Sequence, residues 1–293
     1  MSNAHHVGFE SLWVTSALLL AALVYLYGWV RIRRFDRGIF GGWHAASFAL
    51  GLLCIWIATA SPLAALDHEM LTWHMVQHLL LMTLAPPLIL LGLPAKELVH
   101  GPSHRFSLAI GHPLRSAAIQ RMGNTLMHPA LCWFGAASTL VVWHIPSMFM
   151  LGLRSQTWHG IEQSSFLATG LLFWWPVVQP WPAVSRWPES AMLLYLFLAT
   201  LPCDILSGFL VFCDRVVYTV FLSSPQSLGL SALEDQELAG ALMWTCVTVL
   251  YLVAAAIFAA RLLSPHRPDE RSIGQFEPEC TAVLTSPRRI EAV

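Results

Sequence analysis

Residues 69–92, EMLTWHMVQHLLLMTLAPPLILLG, constrain this chain more than any other stretch. About 20 consecutive apolar residues cover the hydrocarbon core of a bilayer as a helix. A helix also satisfies its own backbone polar groups where no water can. Inside this segment lie His74 and His78, four residues apart and therefore on one helix face. The same spacing puts Met70 one turn before them and Met82 one turn after. The row Met70–His74–His78–Met82 thus sets imidazoles and thioethers at membrane depth, where ionisable residues are costly and point to function. Further in, Pro86 and Pro87 break the hydrogen-bond ladder, which neighbouring helices must compensate. The plainer alternative is that the histidines and methionines are packing residues, and the depth of polar residues on other helices decides between the two. The pair is not the zincin H-E-x-x-H, because residue 75 is Met.

Composition agrees with a membrane setting. Hydrophobic residues make up 56% of the 293 and charged residues 11%, against about 25% charged in soluble domains. A net charge of −1 excludes a nucleic-acid partner, which requires basic patches. Six cysteines without a C-x-x-C pair read as packing residues or individual ligands, not a disulfide framework. Many of the thirteen tryptophans fall near the ends of apolar runs, where interface anchoring explains them.

Seven spans are expected: about 11–30, 42–60, the central 69–92, 129–152, 158–179, 189–212 and 236–262. The first is too long for a signal-peptide core and has no small-residue cleavage site after it, so it reads as a retained span. The connection 93–127 contains SLAIGHPLRSAAIQRM, which suits a broken amphipathic helix along the membrane surface. Residues 264–293 are polar and proline-rich and read as a disordered tail behind a transmembrane domain of residues 1–263. With the N-terminus outside, fourteen of the sixteen Lys and Arg fall on the cytoplasmic side, leaving Arg154 and Arg215 outside. The positive-inside rule therefore selects that orientation, with a cytoplasmic C-terminus. The expected fold is an all-α integral membrane protein, a seven-transmembrane-helix bundle.

Orientation converts position into depth. At about 1.5 Å per residue, His74 lies roughly 7 Å and His78 roughly 13 Å inward from Glu69. His144 falls about 9–12 Å from the outer end of its span, and His159 and Glu162 within the first two turns of theirs. Cys203 and Asp204 sit roughly level with His78. His68 counts among the outer-half imidazoles as well. Such a cluster suits a metal: imidazole favours copper, zinc, iron or nickel, and thioether or thiol shifts the preference toward Cu(I). Glu162 and Asp204 are placed to ligate or to hold a histidine by its second ring N–H. A histidine–carboxylate network that only stabilises the bundle is the competing reading. Asp235, at the outer start of the last span, is either a helix N-cap or part of the site.

The segments WHMVQHLLLMTLAPPLILLG (73–92), HPALCWF (128–134), WHIPSMF (143–149), HGIEQSSFLATGLLFWWPV (159–177) and EDQELAGALMW (234–244) resemble the multi-span CtaG family of cytochrome c oxidase assembly proteins. The likeness covers most of residues 41–262 in consistent order. It implies a multi-pass protein of the bacterial plasma membrane that helps a haem–copper oxidase of the respiratory chain mature by delivering copper. It also implies importance for His74, His78, His144, His159, Glu162, Asp235 and Gln236.

Three functions compete. The first is a non-enzymatic copper chaperone that takes Cu(I) from a periplasmic or extracellular donor and releases it to an oxidase subunit within the bilayer. Its expected metal ligands are drawn from His74, His78, His144, His159, Glu162, Met70, Cys203 and Asp204. The second is an intramembrane zinc hydrolase, with Glu162 or Asp204 as general base. The third is a structural scaffold without metal.

Overall fold

The computed structural model describes residues 2–35, 41–93, 123, 125–178, 187–223 and 229–264. All regular structure among them is helical, with no strand. The order is α1 (Ser2–Phe35), α2 (Gly42–Thr59), a 3-10 turn (Pro62–His68), α3 (Leu71–His78), a π segment (Leu79–Leu84) and α4 (Ala85–Gly92). There follow α5 (Pro129–His144), α6 (Pro146–Arg154), α7 (Gln156–Val178), α8 (Glu189–Phe212), a 3-10 turn (Thr219–Leu222) and α9 (Ala232–Leu263).

The central segment forms one 22-residue rod, Leu71–Gly92, and it is the most enclosed of the apolar helices. Its middle is wound as a π-helix for a local reason. Pro86 and Pro87 offer no N–H, and a proline ring clashes with the carbonyl four residues back. The ladder widens instead, and the Ala85 N–H donates to Leu80 O, five residues earlier. Helix α7 then lies directly against this widened turn. A Cβ on Gly170 would stand 2.7 Å from Met82 O and 2.9 Å from Met82 Cα, so only glycine permits the approach.

Around the rod, α2 packs on α4, and α1 lies outside α2. The Tyr25 hydroxyl on α1 donates to Gly92 O at 2.7 Å, and its ring stacks on Phe48 at 4.0 Å. On the other side α8 and α9 pair closely where Gly240 meets the Ser207 carbonyl. Phe173, Tyr195 and Tyr251 stack between α7, α8 and α9, with ring centroids 4.9 and 5.3 Å from Phe173. Large apolar side chains such as Leu20, Ile205 and Phe212 face outward. In a bilayer that surface meets lipid tails, which are as apolar as they are.

Among the described residues, five helices are long and apolar enough to cross a membrane: Ser11–Arg31 within α1, then α2, the Leu71–Gly92 rod, α8 and α9. A sixth appears if α5 and α6 are taken together, although they bend by 77°. The expected continuous span 129–152 is therefore two helices. Pro146 biases the residue before it away from helix, and Ile145 is extended (φ −64°, ψ 127°). The expected span 158–179 does form a helix, the 23-residue α7. It is not among the apolar five because Glu162, Gln163, its tryptophans and Pro176 dilute its hydropathy. The surface helix expected within 93–127 and the tail expected over 264–293 lie almost wholly outside the described residues.

Candidate metal centre

His74 and His78 leave α3 on one face, as four-residue spacing requires, with ring centroids 4.4 Å apart. The helix that fixes them starts without a cap of its own, since Met70 provides no side-chain hydrogen bond there. Asp235 supplies the cap from α9. Its Oδ2 accepts from the Leu71 N–H at 2.7 Å, and its Oδ1 accepts from the Thr72 N–H at 3.1 Å and the Thr72 hydroxyl at 2.6 Å. The acid is thus an N-cap, but of a different helix. Its own helix begins with a capping box between Ser231 and Glu234.

Glu162, on α7, points at the histidine pair and is fully buried. Its Oε1 lies 3.4 Å from His74 Nε2 and 3.2 Å from His78 Nε2. Its Oε2 lies 3.4 Å from His159 Nδ1, one turn earlier on the same helix. Space for the carboxylate comes from Gly152 on α6, where a Cβ would stand 2.6 Å from Oε2. His159 continues the chain of contacts outward, with Nε2 3.1 Å from Asp67 Oδ2. Asp67 also faces His68, whose side chain is 55% exposed, so the row reaches the surface there. Burial would raise the Asp67 carboxyl, but the His159 hydrogen bond and the nearby imidazoles outweigh it and hold the group below the usual carboxylate range.

Among the described residues two sets of donor atoms emerge, His74–His78–Glu162 and Asp67–His74–His159, each with its atoms within 4.8 Å of one another. They share His74. Beyond the contacts with Glu162, the Nδ1 atoms of His74 and His78 are buried without a hydrogen-bond partner. Buried polar atoms are normally satisfied, so two imidazole nitrogens left over beside a buried carboxylate are chemically unusual. Imidazole and carboxylate together fit a divalent or monovalent transition metal. Phe149 covers His74, at 4.7 Å between rings, and stacks under Tyr218 at 4.1 Å.

His144, at the end of α5, belongs to neither set. Its ring stands 5.8 Å from that of His78. The ring contacts Met75, with Nε2 3.4 Å from Sδ, and its backbone carbonyl accepts from the Tyr218 hydroxyl at 2.9 Å. His78 and His144 line a cavity of about 40 Å³ together with Met82, Cys203 and Met243. His144 also borders an apolar groove of about 1060 Å³ between α5 and α8. Met70 is fully buried at the start of α3. Cys203 faces Ser207, at 3.7 Å, and Asp204 lies outside both sets with a buried, unpartnered Oδ1. Gln236 is a structural tie: its Oε1 accepts from the Val217 N–H at 2.7 Å, and its amide donates to the Leu210 and Arg215 carbonyls.

Asp67 and Met75 were not among the residues expected from sequence. An acid beside His68 at the mouth of the central span was the available signal for Asp67. Met75 lies off the four-residue row, and only the position of α5 brings it to a histidine.

These features define a class, a multi-span membrane protein with a buried histidine–carboxylate centre that reaches the surface at one end. The family profile described as cytochrome c oxidase caa3 assembly factor (Caa3_CtaG) matches residues 23–264, and the chain belongs to that family. Comparison with curated proteins and with solved structures returned no match.

Proposed function

We propose that this chain is a non-enzymatic copper-handling factor for the assembly of a haem–copper cytochrome c oxidase in a bacterial plasma membrane. Copper is its cargo. Asp67 and His159 receive the ion near the outer surface, and His74, His78 and Glu162 hold it within the bundle. The partner that takes it is an oxidase subunit, and the source is a donor outside the membrane. In this reading the chain crosses the bilayer seven times, with α7 as a crossing, the N-terminus outside and the C-terminus cytoplasmic. The observation that carries the proposal is the convergence of His74, His78 and Glu162 in the interior, with one potential ligand atom from each within 4.8 Å of the others.

The zinc-hydrolase alternative requires a substrate cleft reaching a carboxylate base. Neither the small cavity nor the groove is lined by Glu162 or Asp204.

The test replaces His74 and His78 together by Ala and measures two quantities side by side. Copper per molecule and partner-oxidase activity are expected to fall to background, while membrane abundance and thermal stability hold. Normal oxidase activity in a stably expressed double variant contradicts copper delivery. Low abundance with normal metal per molecule assigns the pair a structural role.

A further inference from the structure

The groove of about 1060 Å³ between α5 and α8 follows α8 from Ala191 to Phe209. That is about 27 Å at 1.5 Å per residue, close to the roughly 30 Å hydrocarbon core of a bilayer. Its two walls are helical stripes. On α8, Ala191, Leu194, Leu198, Leu201 and Ile205 recur at three- and four-residue spacing and so share one face. On α5, Ala130, Phe134 and Val141 do the same. Ile205 is 73% and Phe134 61% exposed, which leaves the seam open. The groove also adjoins the metal centre. Trp133, His144 and Pro202 border both the groove and the cavity of about 40 Å³ that His78 lines. One layer of side chains therefore separates the groove from a space next to His78, and that space is large enough for a water or an ion. The buried indole N–H of Trp133 has no hydrogen-bond partner, so no polar contact locks it into that layer.

We propose that this groove receives one transmembrane helix of the oxidase subunit that takes the ion, and that the ion leaves sideways from His78 through the small cavity to that helix. The inference rests on the reading of the centre as a copper-delivery site. Three features select a helix as the occupant. A lipid acyl chain reaches through one leaflet, about half of the roughly 30 Å core, whereas the groove runs unbroken along about 27 Å. Two stripes at helical spacing offer the ridges between which the side chains of a third helix pack. Ala130 and Ala191 make one end shallow-walled, and small residues of this kind let backbones approach closely in a membrane. A second copy of this chain is a poor occupant. A two-fold axis would set groove against groove, and two concave surfaces cannot fill each other. Continuity with the cavity behind His78 assigns the helix to the subunit that accepts copper. In the transfer the ion keeps its oxidation state and exchanges ligands of this chain for an imidazole or sulfur donor on the docked helix.

The experiment places the photo-crosslinking residue benzoylphenylalanine in the full-length chain, co-expressed with the oxidase, at Leu198 or Ile205 in the groove. Leu252, exposed on α9, is the control position. Adducts are identified by peptide mass spectrometry. Both groove positions are expected to capture a membrane-spanning peptide of the oxidase subunit that holds copper, at least tenfold above Leu252. In parallel, Leu198→Trp fills the groove from a side chain that touches no metal ligand set. It is expected to keep this chain's abundance and copper per molecule, while the copper content and activity of the oxidase fall about tenfold. Leu194→Trp serves the same purpose if Leu198→Trp proves unstable. Adducts with lipid alone, adducts with a second copy of this chain, or normal oxidase maturation in both stable tryptophan variants overturn the docking and leave the copper centre standing. Oxidase adducts on a wild-type chain that binds no copper keep the docking surface and overturn the copper transfer.

Discussion

At the scale of residues, the centre depends on close approaches that leave little room for substitution. Gly152 is the sharpest case, because its missing Cβ is the space in which Glu162 Oε2 lies. The obstructed atom is the end of a side chain, so Gly152→Ala should displace the carboxylate without unfolding the protein. The expected outcome is copper per molecule reduced by tenfold or more at normal membrane abundance, read by elemental analysis of purified protein. Asp235→Ala should do the reverse. It strips the cap from α3 and leaves the Thr72 hydroxyl with only the Asp235 backbone oxygen, a loss of about 2 kcal/mol. Thermal unfolding should shift down while the metal content of the folded fraction stays normal. His74, His78, His159 and Glu162 were readable from sequence because helical spacing fixes which residues share a face. Asp67, Met75 and the target of the Asp235 cap were not, since each depends on contacts between separate elements.

At the scale of elements, the rod Leu71–Gly92 and α7 act as one unit. Two prolines widen the rod, and Gly170 lets α7 rest against the exposed turn. A Cβ there meets backbone, which cannot swing aside as a carboxylate can. Gly170→Ala should therefore destabilise the fold by about 1–3 kcal/mol, visible as a lower melting temperature in detergent. An unchanged melting temperature would mean that the two helices do not pack this tightly. The sequence announces such a break through Pro86 and Pro87, but proline alone does not say whether a helix kinks, stops or winds wider. Pro146 shows the other result: there the chain turns by 77°, and the expected single span becomes two helices. The histidine at that corner, His144, is carried to Met75 by the bend and by the Tyr218 hydroxyl on its carbonyl.

At the scale of the whole molecule, hydropathy marks a membrane bundle, with five helices among the described residues long and apolar enough to cross. Helix α7 carries the centre's carboxylate and one of its histidines, and those polar residues keep it below the hydropathy of those five. Polar residues within a helix weaken the signal by which spans are found. The topology proposal is tested by cysteine accessibility: residues 93–127 should label from the cytoplasm, and labelling from outside would overturn the seven-span arrangement. The central claim is that the buried centre binds copper. The most direct measurement is the metal content of purified wild-type protein after anaerobic Cu(I) loading and exhaustive desalting, beside the His74→Ala/His78→Ala variant. Retention of at least one copper per chain by the wild type, reduced in the variant, is the predicted result. Stoichiometric zinc in place of copper, or no retained metal at all, would contradict it.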